Sequence, residues 1–255
     1  MSSQSQLPRT RLYVSQDFTL NGEVALAEKQ AHYLANVLRQ KIGDKVILFN
    51  GKDGEYLAEI AAIAKKTVAL SLLEQIRSQQ YSPDIWLISA PLRGGKTEFI
   101  VEKAGELGVS RIVPVLTKFS VVDKVNIPRL QNIAVEAAEQ CERMDIALIE
   151  EITPLQKLLS NWDQNRKIIY GDESGASGNA KDLLPSLPQG KYAVLIGPEG
   201  GFASDELELL RKLPYTLGMC MGPRIMRADT ATVAALTLLQ AWTGDWQHKP
   251  AFRNS

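Results

Sequence analysis

The sequence predicts an α/β protein: a mostly parallel sheet with helices on both faces, preceded by a small β-barrel domain. Three observations predict it. From residue 85 onward, short apolar runs alternate with stretches of helical periodicity, the pattern of strands joined by crossover helices. Between residues 11 and 76, short strands are separated by Gly-containing turns, which fits a small barrel. Two corners near the C-terminus, Leu195-Ile196-Gly197-Pro198-Glu199-Gly200-Gly201-Phe202 and Met221-Gly222-Pro223-Arg224-Ile225-Met226-Arg227-Ala228-Asp229-Thr230-Ala231, each follow an apolar run and lead into a helix. Such corners lie at the carboxyl ends of strands, where open α/β sheets bind ligands.

In the first domain, residues 1–77, Arg11 to Val14 is a strand and Glu28 to Leu38 a short helix with Ala31, Leu34, Val37 and Leu38 at helical spacing. Val46–Phe49, the turn Asn50-Gly51-Lys52-Asp53-Gly54 and Glu55–Ile60 form a hairpin. Thr67–Leu72 is a further strand. Residues 78–83 are polar, lack periodicity and end in Pro83, so they read as a linker.

The second domain spans 84–246, leaving 247–255 as a tail. Strands are expected at Ile85–Ala90, Ile112–Leu116, Lys167–Tyr170, Tyr192–Ile196 and Leu217–Met221. Helices are expected at Thr97–Leu107, Pro128–Glu142, Ser204–Lys212 and Thr230–Trp242, with Gly108 and Gly244 as C-caps and Ser204-Asp205-Glu206 as a helix start. Gly171 to Lys181 is a loop after a strand.

Two further segments carry chemistry. Ala90 to Thr97 follows a strand and opens a helix, close to the phosphate-binding pattern G-x-x-x-x-G-K-[ST]. Asp172 and Glu173, at a strand end, would then hold magnesium. Ala90 in place of the turn glycine and Pro91, which removes a backbone donor, count against an NTPase. In the second segment, Glu136, Glu139, Gln140 and Arg143 recur at helical spacings of three and four, which makes either a functional face or a salt-bridged structural one.

The paired C-terminal corners, Leu-Ile-Gly-Pro-Glu-Gly-Gly and Gly-Pro-Arg-Ile-x-Arg-x-acid-Thr-Ala, resemble those of the bacterial 16S rRNA uridine-N3 methyltransferases. These belong to the SPOUT class, whose chain threads a trefoil knot. The resemblance extends to His32, Val37-Leu38-Arg39 and Gly43-Asp44, similar to the family's PUA-like domain, and to Lys96, Glu98-Phe99, Lys103 and the Glu-Gln-x-x-Arg pattern at Glu139–Arg143. It implies an S-adenosyl-L-methionine site formed by Leu195, Ile196, Gly197, Pro198, Glu199, Gly200, Gly201, Met221, Gly222, Ile225, Met226 and Arg227, with the Gly171–Lys181 loop beside it. It implies catalytic roles for Arg143, Arg227, Asp229 and Glu139: a cation favours the uridine anion and a carboxylate accepts the N3 proton. RNA contacts fall to Arg39, Arg93, Lys96 and Lys103. The implied partners are 16S rRNA of the small ribosomal subunit and a second copy in a homodimer.

Three positions depart from the family pattern: Asp229 where many members carry Glu, Phe119 where Arg is expected in Thr-x-Arg-Ser, and Met226 for Leu. Two readings from other classes stand beside the enzyme, the P-loop-like NTPase and a non-catalytic RNA-binding assembly factor; a third is a tRNA-directed member of the same class.

Composition sets bounds. Lys and Arg number 29 against 29 Asp and Glu, which argues against coating nucleic acid through bulk charge. Recognition of RNA then depends on local patches and shape. Cys141 and Cys220 are isolated, and His32 and His248 are the only histidines, so no metal site or disulfide framework is expected. The polar N-terminus lacks a signal-peptide core and no run approaches a membrane span, so a cytoplasmic location is expected.

Overall fold

The computed structural model describes residues 7–26 and 28–248. Residues 1–6 of the expected first domain and 249–255 of the expected tail lie outside them. The chain forms two compact units, one of residues 7–81 with Glu139–Asp145, the other of Ser82–Ala138 with residues 146–248.

The first unit is a five-stranded sheet of β1 (Arg11–Tyr13), β2 (Glu23–Leu26), β3 (Lys45–Phe49), β4 (Glu55–Ile63) and β5 (Val68–Arg77), in the order β1-β3-β4-β5-β2. β1 runs parallel to β3, and the other pairs are antiparallel. The β3–β4 hairpin closes through Asn50, whose Oδ1 accepts the Lys52 and Asp53 N–H groups at 3.1 and 2.8 Å. This side chain mimics a backbone turn, the reason Asn suits the position. Leu12, Val24, Leu26, Val46, Leu48 and Leu70 are among the apolar residues that meet in its core.

The expected helix is α1 (Glu28–His32), continued by a π-helical turn over Tyr33–Val37. It ends at Arg39, which holds a positive φ of 56° while Gln40 N–H donates to Leu34 O at 3.0 Å. β2 escaped the sequence reading because its four residues alternate exposed and buried over too short a run.

The second unit contains β6 (Ile85–Ser89), α2 (Lys96–Glu106), β7 (Arg111–Leu116), α3 (Ile127–Cys141), β8 (Leu148–Ile149), β9 (Thr153–Pro154), α4 (Leu155–Ser160), β10 (Arg166–Gly171), β11 (Gly178–Asn179), α5 (Ala180–Leu183), β12 (Lys191–Ile196), α6 (Ser204–Lys212), β13 (Thr216–Cys220) and α7 (Ala228–Thr243). The last three residues of α3 are grouped with the first unit. The strand order is β11-β13-β10-β12-β6-β7-β8, every pair parallel, with β9 alongside β7.

Both faces of this sheet are covered, so its strands read as continuous apolar runs. The strand period of two sorts them. Tyr192, Val194 and Ile196 of β12 enter one core with Ile100 and Ala104 of α2, Leu130 of α3 and Leu236 of α7. Ala193 and Leu195 point the other way, into a core with Leu155 and Leu159 of α4 and Leu210 of α6.

Helix ends follow local chemistry. Gly108 closes α2 in the left-handed region, φ 75°. Gly244 is the C-cap of α7 as expected, with its N–H donating to Gln240 O, but in an extended conformation, φ −95°; glycine is needed there because a Cβ would overlap Gln240 Oε1. α6 starts through Glu206, whose Oε2 accepts the Ala203 N–H at 2.9 Å. The short elements β8, β9, β11, α4 and α5 carry too few residues for a periodic signal in the sequence.

Candidate active site

A cleft of about 480 Å³ opens at the carboxyl ends of β10, β12 and β13, wholly within the second unit. Its size suits a small-molecule ligand. Three loops make it: Asp172–Gly175 after β10, Gly197–Phe202 after β12, and Met221–Arg227 between β13 and α7. Ile196, Leu207, Met219 and Met221 supply apolar surface, and Phe202 packs its ring about 3.2 Å from where a Cβ on Gly197 would stand.

The first loop is organised by Asp172, a buried residue. Its Oδ1 accepts the Ser174 N–H at 2.9 Å and the Ser174 hydroxyl at 2.6 Å, its Oδ2 accepts the Ser177 hydroxyl at 2.5 Å, and Arg211 stands 3.7 Å away. Burial pushes the carboxyl pKa up, but the serine hydrogen bonds and the Arg211 charge together hold it below the usual range. A depressed folded-state pKa means the network contributes stability above the unfolded carboxylate's pKa and loses it as pH falls through the folded value. Replacing Asp172 by Asn is therefore expected to flatten the acid side of the Tm-against-pH profile below about pH 4. A variant with the wild-type acid profile would remove Asp172 as the source of that dependence.

The second loop is pinned by Glu206, which is buried. Its two oxygens accept the backbone N–H groups of Ala203 and Lys118, each at 2.9 Å, tying the glycine loop to the turn at Thr117–Ser120. Gly200 packs against that turn, its absent Cβ 3.2 Å from Phe119 Cβ. Gly201 adopts a φ of 71°, and a Cβ there would overlap Glu173 Oε1 of the first loop.

Lys96, at the start of α2, lies between the second loop and the start of α7. Its Nζ is 4.0 Å from Glu199 and 3.7 Å from Asp229 in the first turn of α7. Asp229 also accepts the Thr230 N–H at 2.9 Å. The neighbouring Thr97 hydroxyl closes its own loop, accepting from Leu92 N–H at 2.7 Å and donating to Leu92 O at 3.0 Å. In the P-loop reading this lysine and hydroxyl serve phosphate and magnesium. Here the lysine faces carboxylates and the hydroxyl faces backbone, and Asp172 is saturated by serines, so the geometry gives that reading no support.

Of the residues expected at the cofactor, Ile196, Gly197, Pro198, Glu199, Gly201, Met221, Gly222, Ile225, Met226 and Arg227 line the cleft. Leu195 is fully buried on the opposite sheet face and Gly200 faces Phe119. The cleft is also lined by Asp172, Glu173, Phe202, Met219, Cys220 and Arg224, none of them among the residues expected at the cofactor. The polar composition of Gly171–Lys181 marked that loop, but nothing in it singled out these side chains.

Arg227 immediately precedes α7 at its N-cap position, makes no side-chain capping bond, and is exposed. Glu139 and Arg143 are grouped with the first unit: Glu139 Oε1 accepts the Tyr13 N–H at 2.8 Å, and Arg143 pairs with Asp145 at 3.1 Å while its carbonyl accepts from Arg11 at 2.7 Å. None of the cleft-lining residues comes from Glu139–Asp145. Lys103 donates to Glu102 at 2.7 Å and to Glu106 at 2.8 Å, and these bonds raise its pKa. Arg93 and Arg39 are exposed. Among the described residues no group of three or more His, Cys, Asp or Glu side chains is arranged to hold a metal ion, and no helix is long and apolar enough to cross a membrane.

Residues 80–240 match the RNA methyltransferase domain, and residues 26–73 match the RNA methyltransferase PUA domain. The chain belongs to the RNA methyltransferase family. The cleft thus falls in its methyltransferase domain, and the five-stranded sheet carries its PUA domain. Ribosomal RNA small subunit methyltransferase E of Rickettsia conorii is 34% identical over 89% of this chain and 93% of its own, and that of Buchnera aphidicola from Acyrthosiphon pisum is 31% identical over 93% and 95%. A methyltransferase of Legionella pneumophila, solved with the bound cofactor SAM, superposes with a TM-score of 0.84 at 30% identity, covering 93% of this chain and 100% of the other. The small subunit methyltransferase E of Neisseria gonorrhoeae, bound to S-adenosyl methionine, gives 0.85 at 25% identity, covering 93% and 99%.

Proposed function

We propose that this chain is an S-adenosylmethionine-dependent methyltransferase of small-subunit ribosomal RNA that acts on N3 of a uridine in 16S rRNA. The observation that carries the reading is the three-loop cleft at the strand ends, in a chain whose 30%-identical structural relative holds SAM.

The residues present fit that cofactor. Ile196, Met219 and Met221 offer apolar surface for a purine, and the missing Cβ of Gly201 lets the Glu173 side chain of the first loop stand against the second. Gly222 has no side chain packed where its Cβ would stand, so its backbone suits the polar edges of the nucleoside. The bound cofactor supplies a methyl group activated by a sulfonium.

What remains for the protein is alignment and proton handling. Nitrogen needs a lone pair, and uridine N3 carries a proton at neutral pH, so a base must take it while a cation steadies the anion. Asp229 is assigned as the proton acceptor and Arg227 as the cation, both at the start of α7. Lys96 stands within ion-pair distance of both Asp229 and Glu199 and neutralises part of their charge beside the cleft. Glu139 and Arg143 are the second acid and cation of the proposed catalytic set, and in the first unit they also meet the Tyr13 N–H and Asp145. The target base must leave its stack to reach the cleft.

The protein is also proposed to act as a cytoplasmic homodimer. Trp242 in α7 and Trp246 just beyond it are 45% and 50% exposed, an apolar surface suited to a second copy. Sedimentation as a monomer at micromolar concentration would remove that part.

Calorimetric titration with S-adenosylmethionine and, separately, with Mg-ATP tests the function. Binding of the first alone is expected. Binding of Mg-ATP alone, lost in Lys96→Ala, would make the protein an NTPase. Binding of neither, with RNA affinity intact, would favour a non-catalytic RNA-binding assembly factor.

A further inference from the structure

Four carboxylates stand at or beside the cleft, and three have partners there. Asp172 is held by Ser174, Ser177 and Arg211. Glu199 and Asp229 share Lys96. Among the described residues, no cation or hydrogen-bond donor meets the carboxylate of Glu173, which lines the same cleft. Its place is nevertheless defined. Its backbone neighbours are anchored on both sides, Asp172 N–H to Met219 O at 3.0 Å and Ser174 N–H to Asp172 Oδ1 at 2.9 Å. Its Oε1 occupies the space beside Gly201 that a side chain would otherwise fill. The cations that line the cleft, Arg224 and Arg227, belong to the third loop and are exposed.

We propose that Glu173 is a specificity-determining residue by which the cleft prefers the sulfonium-bearing methyl donor to the neutral thioether left after transfer. The inference rests on the proposed S-adenosylmethionine-dependent function. Transfer forms an N–C bond at uridine N3 and breaks an S–C bond. The electron pair of the broken bond stays on sulfur, the N3 proton passes to the base, and the ligand loses one positive charge. A carboxylate without a counter-ion beside the ligand attracts the donor through that charge and gains nothing comparable from the product. The product is released and a fresh donor is taken up in its place. Because Glu173 is exposed, the preference is modest and sensitive to salt.

The test is calorimetric titration of the wild-type protein and Glu173→Gln with S-adenosylmethionine and with S-adenosylhomocysteine, at low and high ionic strength. Glutamine keeps the shape and removes the charge. Donor affinity is expected to fall about fivefold and product affinity to change by less than about twofold, with high salt narrowing the wild-type preference. Glu208→Gln, on the exposed face of α6, is expected to change neither affinity. Equal weakening of both ligands would show that Glu173 contacts a part they share, and unchanged affinities would show no contact; either overturns the proposal. A wild-type protein that binds neither ligand overturns the underlying function as well, which separates the two failures.

Discussion

Gly201→Val is expected to abolish measurable S-adenosylmethionine binding, weakening it more than about 100-fold. Two independent effects coincide at this position. The backbone there has a φ of 71°, a region that β-branched residues avoid because Cβ meets the neighbouring carbonyl. The new side chain would also fall on Glu173 Oε1, so the Glu173 side chain must swing out of its place between the first and second loops. The loop is anchored elsewhere, by Glu206 to Ala203 and Lys118, so damage is confined to the cleft rather than spread through the sheet. Circular dichroism close to wild type with heat-free titrations is the expected pair of results. Near-normal binding would mean that the ligand site does not involve this loop.

Asp229→Asn is expected to lower kcat by roughly 10²- to 10⁴-fold, the usual range for loss of a positioned base, with donor affinity changed little. Asparagine preserves the acceptor for Thr230 N–H, which Asp229 now binds at 2.9 Å, so the start of α7 should stay formed. The loss would then report proton transfer rather than folding. Rate measurements against pH sharpen it: the mutant should recover part of the deficit as pH rises and free uridine ionises. A mutant with unchanged kcat would assign proton removal to another group, such as solvent.

Much of this architecture was readable in the residues, and the failures have physical causes. β6, β10 and β12 are buried on both faces, so they stand out as unbroken apolar runs. The corners after β12 and β13 were legible because glycine and proline restrict or release the backbone directly. Leu195 was harder: its burial away from the cleft follows from strand alternation only once the register with its neighbours is known. Asp172 shows the opposite limit. Its role depends on Ser174, Ser177 and the distant Arg211 meeting in space, and no spacing along the chain announces that. Lys96 beside Glu199 and Asp229 likewise joins three segments far apart in sequence. The grouping of Glu139–Asp145 with the first unit is another long-range product, set by bonds to Tyr13 and Arg11. The SPOUT class and the substrate came from resemblance in the paired corners; periodicity alone reached only a parallel α/β sheet.

The measurement that most directly tests the account is transfer of a labelled methyl group from S-adenosylmethionine to 16S rRNA, offered naked and within the small subunit, with the modified nucleotide mapped by mass spectrometry. One N3-methyluridine, absent when Gly201→Val replaces the wild type, is the predicted result. No transfer to either substrate, or a label on a tRNA or on a nucleotide other than uridine, would contradict it.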